Sequence, residues 1–386
     1  MKPTEIRDKL QEAREIILSN ALMIGEMPSP SGLEATRTRF LANRFQDSLL
    51  QDISEDEQGN IQALIPGRVG ERTILVSVHT DTLVSLGPDE RLTVNVSPEE
   101  LHGPGLADNS IGVAALASLP DLLKLLKLEF DDNILLLAHG QSLGSKDLAG
   151  LRFFLNNYSG TIDAGIVLEG ITLGRLNHSC LGMVQADIHC HVHQEPGTRW
   201  EASENAIVIM HRIIRHILEI PLPQEPRTSV IIGSLQAGKT FNRPPETARL
   251  RLEIRSEEPG KAREIRMHIM QMLDEISAET ASECSITFPA LRQPGGIPFS
   301  HPIVTAAREI MDDLEIKPKL GPSYSDLSIL INKDIPAVTL GLTTARNLNE
   351  TDESVLINPL FTGLAQFISL LQRIDSSSTN SPSTNS

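Results

Sequence analysis

The sequence predicts an α/β fold with a mostly parallel sheet, into which a smaller α+β unit is inserted. Three observations predict it. Short, apolar, β-branched runs at residues 73–78 (TILVSV), 133–138 (NILLLA) and 164–168 (AGIVL) alternate with helical segments, as buried parallel strands do. After Gly182 the pattern changes to strict alternation, MVQADIHCHVH over 183–193, which suits a half-exposed strand. After Gly295-Gly296 the first pattern resumes.

The elements follow in order. Residues 3–24 form an amphipathic helix, and Ser31-Gly32-Leu33-Glu34 reads as a capping box opening a helix to about Phe45. Gly59-Asn60 turns into the strand IQALIP. Asp108 precedes SIGVAALASLPDLLKLLK, a helix interrupted or kinked at Pro120. Within the insertion, helices are expected over 205–218 and 259–278, with strands over 228–235 and 248–254. A helix from Pro302, a buried strand over 337–340 and a final helix to about Gln372 complete the chain. The larger domain is therefore read as residues 1–180 and 292–376 and the insertion as 181–291, while 377–386 form a disordered low-complexity tail.

Composition narrows the function. The 386 residues are 40% hydrophobic, and a net charge of −16 argues against nucleic acid or an anionic membrane as partner. Three cysteines make no CxxC pair and no disulfide framework, and Cys180 and Cys190 read as apolar fillers. The N-terminus lacks the apolar core of a signal peptide, and no run of 18 apolar residues stands out. The expectation is a cytoplasmic protein.

In open parallel sheets ligands bind beyond the carboxyl ends of strands. The strand ends here carry His79-Thr80-Asp81, then His139-Gly140-Gln141-Ser142, then Glu169, and last Arg346-Asn347-Leu348-Asn349. Asp108 follows a glycine-rich turn. Imidazole and carboxylate gathered at several strand ends are what a zinc site requires, and Asp81 is placed to fix the tautomer of His79. Simpler readings stand beside these. Asp108 also suits a helix N-cap, and Glu169 a solvated carboxylate. His189, His191 and His193 share one strand face, which is either a polar outer surface or an incidental metal site.

The pieces SPSGLE, GNIQALIPG, VSVHTDT, GPGLADNSIGVAAL, IVLEG, ENAIVIMHRII, FNRPPETARLRLEIRS, SYSDLSILINKDIPAVTLG and NETDE run nearly end to end. Together they resemble the co-catalytic zinc exopeptidases and amidohydrolases, a family that includes peptidase T, aminoacylase, carboxypeptidase G and succinyl-diaminopimelate desuccinylase. The resemblance implies a zinc-peptidase-like domain with an inserted lid or dimerisation domain, and a homodimer through that lid. It implies His79 and Glu169 as ligands of one zinc, Asp108 as a carboxylate bridging two, Asp81 as the orienter of His79, and Asn242 as a substrate contact.

The departures are equally definite. Gln141 stands at the position of the family's general base, while Ser142 and Asn349 stand where the second zinc takes its ligands. Glu353 matches the family residue that follows. GTRW places Thr198 or Arg199 where the lid carries a histidine. A glutamine cannot relay a proton, and loss of a general base costs about 10²–10⁴ in rate. Ser142 and Asn349 are poor zinc ligands. His139, Asp147, Glu350 and Asp352 are candidates to replace the lost groups.

Three functional readings follow. One is a catalytically impaired or non-catalytic homologue, a pseudoenzyme, that holds at most one zinc and binds a peptide or N-acyl amino acid. Another is an active mono-zinc peptidase or deacylase. The third is an assembly protein without metal.

Overall fold

A computed structural model describes residues 1–84, 92–193, 205–280, 282–348, 350 and 352–378. It divides into two compact units, Met1–Ser179 with Gly296–Ser386, and Cys180–Gly295.

The first unit is built on a nine-stranded mixed sheet. Its centre consists of Asn133–His139, Thr73–His79, Ala164–Ile171 and Ala337–Thr343, adjacent in that order and mutually parallel. These strands are apolar along their whole length because both faces are covered. Ile74, Val76, Val78, Leu136, Ile166 and Leu340 pack under helices that include Ile111–Leu126 and Ile357–Ser378. Leu75, Leu135, Leu137 and Val167 pack on the other side against Leu151, Phe154, Leu327 and Leu330. Ile61–Ile65 and then Gln51–Glu55 extend one side antiparallel, and the outermost strand is polar (QDISE), which discourages edge-to-edge pairing. The parallel registers place His79 directly beside His139. Those strand ends found the site.

Three sequence expectations change. Helix Ile111–Leu126 runs on through Pro120, because burial on nearly every side offsets the hydrogen bond that proline cannot make. Leu106–Leu126 is long and apolar enough to cross a membrane, contrary to the sequence reading, but that stretch is 83% buried in the core. The capping box does not form. Helix Ala35–Asp47 starts without a side-chain cap. Ser31 instead donates its hydroxyl to Asp81 Oδ2, and Glu34 Oε1 accepts from the Gly32 and Gln141 N–H groups at 2.7 and 2.8 Å.

The second unit is a four-stranded antiparallel sheet ordered Thr228–Ala237, Thr247–Ser256, Gly182–Val192 and Ser282–Arg292. Helices Ala206–Glu219 and Lys261–Glu279 cover one face over Ile188, Cys190, Leu250 and Ile254. Asn205 caps the first helix through the Ile207 and Val208 amides. The other face is polar. It carries His189 beside Asp187, whose carboxylate pairs with Arg249 and Arg251. The strand Ser282–Arg292 has no clear sequence signal because Pro289 interrupts its pattern; that proline falls where the register shifts between Thr287 and Ala290. Cys180 and Cys190 are buried, as expected of fillers. The last helix reaches Ser378, two residues into the stretch read as tail, and 379–386 lie outside the described residues.

Gly363 tests how closely the last helix approaches the sheet. A Cβ there would lie 1.9 Å from the Leu342 carbonyl oxygen, a backbone atom with no room to yield. Gly363→Ala should cost about 1–3 kcal/mol of stability by overpacking. At Gly321 a Cβ would meet nothing within 4 Å, so alanine there should be tolerated to within ~0.5 kcal/mol. Urea unfolding midpoints check both.

Candidate metal centre

The site lies at the carboxyl ends of the parallel strands. His79 is the last residue of Thr73–His79, and Glu169 lies near the end of Ala164–Ile171. Asp108 comes from the turn before helix Ile111–Leu126. It is not the N-cap: the helix begins only at Ile111, and Ser110 stands at the cap position. Asn109 sets the distance between turn and strand. Its Nδ2 donates to the Leu168 carbonyl at 3.0 Å and its Oδ1 accepts from the Gly170 N–H at 2.6 Å, so one amide brackets Glu169 on both sides. Gly170 is required there, since a Cβ would sit 2.3 Å from the Ala107 carbonyl oxygen. Glu353 Oε1 holds the same turn by accepting from the Ala107 N–H at 2.9 Å.

His79 Nε2 lies 3.1 Å from Asp108 Oδ1 and 3.9 Å from Glu169 Oε2. Its Nδ1 faces Asp81, 3.1 Å from the backbone oxygen and 3.4 Å from Oδ1. Nδ1 therefore carries the proton and Nε2 is left for an ion. The ligand atoms of His79, Asp108 and Glu169 all lie within 4.8 Å of one another. Around a tetrahedral zinc with ligand distances of ~2.0–2.1 Å, neighbouring ligand atoms are ~3.3 Å apart. One imidazole and two carboxylates are donor types that a divalent ion such as zinc takes, and the Asp108 side chain is 31% exposed.

The electrostatics favour a cation. Burial opposes a charge on His79, but its hydrogen bonds to Asp108 and Asp81 and the charges of Asp108 and Glu169 outweigh that and raise its pKa well above the ordinary value. Burial, reinforced by the charge of Asp108, pushes the Glu169 carboxyl up. Asp81 is buried yet held well below the usual carboxylate range by His79, Ser31 and the Leu143 N–H.

The remaining predicted residues divide. Gln141 and Ser142 share the loop after Asn133–His139, but neither supplies a carboxylate: Gln141 Nε2 donates to Gln58 Oε1 at 3.0 Å, and Ser142 Oγ lies 3.2 Å from His139 Nδ1. His139 does not join the metal cluster; its Nε2 meets Asp326 Oδ2 at 3.0 Å. Asp147 pairs with Arg152 at 2.9 Å, and Asp352 accepts from the Asn347 side chain at 2.8 Å. Glu350 is exposed. Asn242 lies on an exposed segment of the second unit. Asn349 and the Thr198–Arg199 position lie outside the described residues.

Several contributors had no clear sequence signal. Ser325 Oγ donates to Glu169 Oε1 at 3.0 Å, and Arg175 Nη1 approaches Glu169 Oε2 at 3.8 Å. Arg37 is almost fully buried, and burial lowers its pKa to about 10 against the charge of Asp81. It donates to the carbonyls of Met27 and Thr80 at 3.1 and 3.0 Å and to Ser110 Oγ at 2.9 Å, tying the His79 and Asp108 turns together. A charge in the first turn of a surface-type helix pattern concealed this role. Arg37→Met keeps the bulk, strips all three acceptors of their donor and should destabilise the chain by about 3–5 kcal/mol, measured by chemical denaturation.

Comparison with known proteins agrees with this architecture. The M20 peptidase dimerisation domain signature matches residues 182–281. No curated protein sequence matches the chain. A tripeptidase from Staphylococcus aureus superposes with a TM-score of 0.78 at 19% identity, over 94% of this chain and 99% of that one. Aminopeptidase PepT from Bacillus cereus gives 0.74 at 16% identity, over 94% and 98%. YxeP from Bacillus subtilis, described as a dinuclear metal-binding peptidase of the M20 family, gives 0.69 at 15% identity, over 95% and 99%. The chain therefore shares the fold of these M20-family structures and, at residues 182–281, matches the peptidase dimerisation domain.

Proposed function

We propose that this chain is a degenerate M20 homologue that binds one zinc through His79, Asp108 and Glu169 and is impaired in the metal-dependent hydrolysis of the family. Its ligand is a peptide or an N-acyl amino acid. One observation carries the reading: three ligand atoms converge, while the neighbouring loop offers an amide and a hydroxyl already bonded to Gln58 and His139. When bound, zinc would supply Lewis acidity toward a carbonyl oxygen. Asp81 would hold the His79 ring, and Ser325 would hold the Glu169 carboxylate. Gln141 cannot take a proton from water or return one to a leaving amine.

We place the protein in the cytoplasm as a homodimer assembled through the second unit. The dimerisation-domain match supports the dimer, as do Ile231 and Leu235, exposed on its edge strand Thr228–Ala237. The strong negative charge disfavours nucleic acid and anionic membranes as partners.

Elemental analysis of the purified protein should find one zinc per chain, lost in His79→Ala. Aminopeptidase, carboxypeptidase and deacylase panels should show no zinc-dependent turnover. Two tightly held zincs would overturn the reading. No zinc after soaking would leave the assembly role.

A further inference from the structure

We propose that Ser142, His139 and Asp326 form a second, metal-independent acyl-transfer site with Ser142 as its nucleophile. The three side chains are linked in series, Ser142 Oγ to His139 Nδ1 at 3.2 Å and His139 Nε2 to Asp326 Oδ2 at 3.0 Å. Local backbone geometry makes the first contact. Strand Asn133–His139 ends at the histidine, Gln141 adopts a left-handed φ of 56°, and the chain folds back so that the serine meets the ring three residues earlier. The second contact comes from the turn that opens Leu327–Ile331.

Polarity follows from the partners. A carboxylate can only accept, so the His139 proton sits on Nε2 and points at Asp326. On the tautomer with its proton on Nε2, Nδ1 is a lone pair to which the Ser142 hydroxyl can donate. This is the polarity required for an imidazole to remove a serine proton. Burial agrees: His139 and Asp326 have no exposed surface, whereas Ser142 keeps 7%, making it the opening of the relay. The loop is also fixed. The Ser142 and Leu143 N–H groups both donate to Asp81 Oδ2 at 2.9 Å, and the His139 carbonyl accepts from the Thr80 N–H at 2.8 Å.

The substrates in this reading are small esters and N-acyl compounds. Ser142 Oγ bonds to the acyl carbon and its proton passes to His139 Nδ1. The C–O or C–N bond to the leaving group breaks as that group takes the proton. Water then attacks the acyl-serine, giving its proton to His139, which returns it to Ser142 Oγ as the carboxylic acid departs. Asp326 is a positioning residue that orients the imidazole and stabilises its protonated form.

The test is independent of zinc, so its outcome is separate from that of the metal reading. The full-length chain in EDTA is incubated with a fluorophosphonate, and the adduct is mapped by mass spectrometry. One label per chain on Ser142 is expected, absent in Ser142→Ala and slowed at least about 100-fold in His139→Gln. Asp326→Asn should lower the maximal labelling rate while the half-saturating probe concentration stays unchanged, a split that a packing role would not produce. Wild-type protein that leaves Ser142 unlabelled at millimolar probe overturns the proposal. So does labelling at equal rates in folded His139→Gln.

Discussion

The buried carboxylate of Asp81 is the constraint on which the rest of the centre depends. Its Oδ2 accepts from Ser31 Oγ and from the Ser142 and Leu143 N–H groups, while Oδ1 faces His79 Nδ1. Three segments distant in sequence therefore converge on one side chain. An isolated charge in such a place would be prohibitive, and here it is met by hydrogen bonds and by the guanidinium of Arg37. Arg37 in turn clasps the turns that carry His79 and Asp108. The position of the metal-binding imidazole and the shape of the Gln141-Ser142 loop are thus fixed by the same atoms.

The backbone of the loop contributes more to its shape than its side chains do. The loop after Asn133–His139 is held by its backbone: Gln141 N–H to Glu34, Ser142 and Leu143 N–H to Asp81. Side chains at 141 and 142 are not needed for the loop's conformation, so their chemistry is free to vary. Asp108 and Glu169 depend on different supports, namely Asn109, Ser325 and Glu353, while His79 shares Asp81 with the loop.

The sheet was legible because both its faces are covered, which forces the mostly apolar runs of five or six residues at 73–78, 133–138 and 164–168. The convergence of His79, Asp108 and Glu169 was legible for a related reason, since parallel strands deliver their ends to one side. What escaped was tertiary. Ser31 and Glu34 have the spacing of a local cap, yet their partners are Asp81 and Gln141, remote in sequence. Asp326 stands before a short helix and looks like an ordinary cap; only the fold brings His139 to it. Pro289 hid an edge strand because a bulge, invisible to periodicity, absorbs it.

Charge balance supports the proposal of one metal rather than two. A His79 imidazole that ligates a metal is neutral, so Asp108 and Glu169 would carry the two negative charges of the cluster, and one divalent cation would cancel them. Arg175, 3.8 Å from Glu169, already adds positive charge at the rim. A second divalent ion would need carboxylates of its own, and the adjoining loop offers neutral Gln141 and Ser142. Asp326 follows Ser325, the residue that holds Glu169, but its carboxylate is already committed to His139. An uncompensated double charge in a site this poorly exposed would face a desolvation cost that neutral oxygens cannot offset. In the proposed reading, an amide and a hydroxyl at these positions therefore withhold more than a base and a ligand: they withhold the countercharge that a second metal would require.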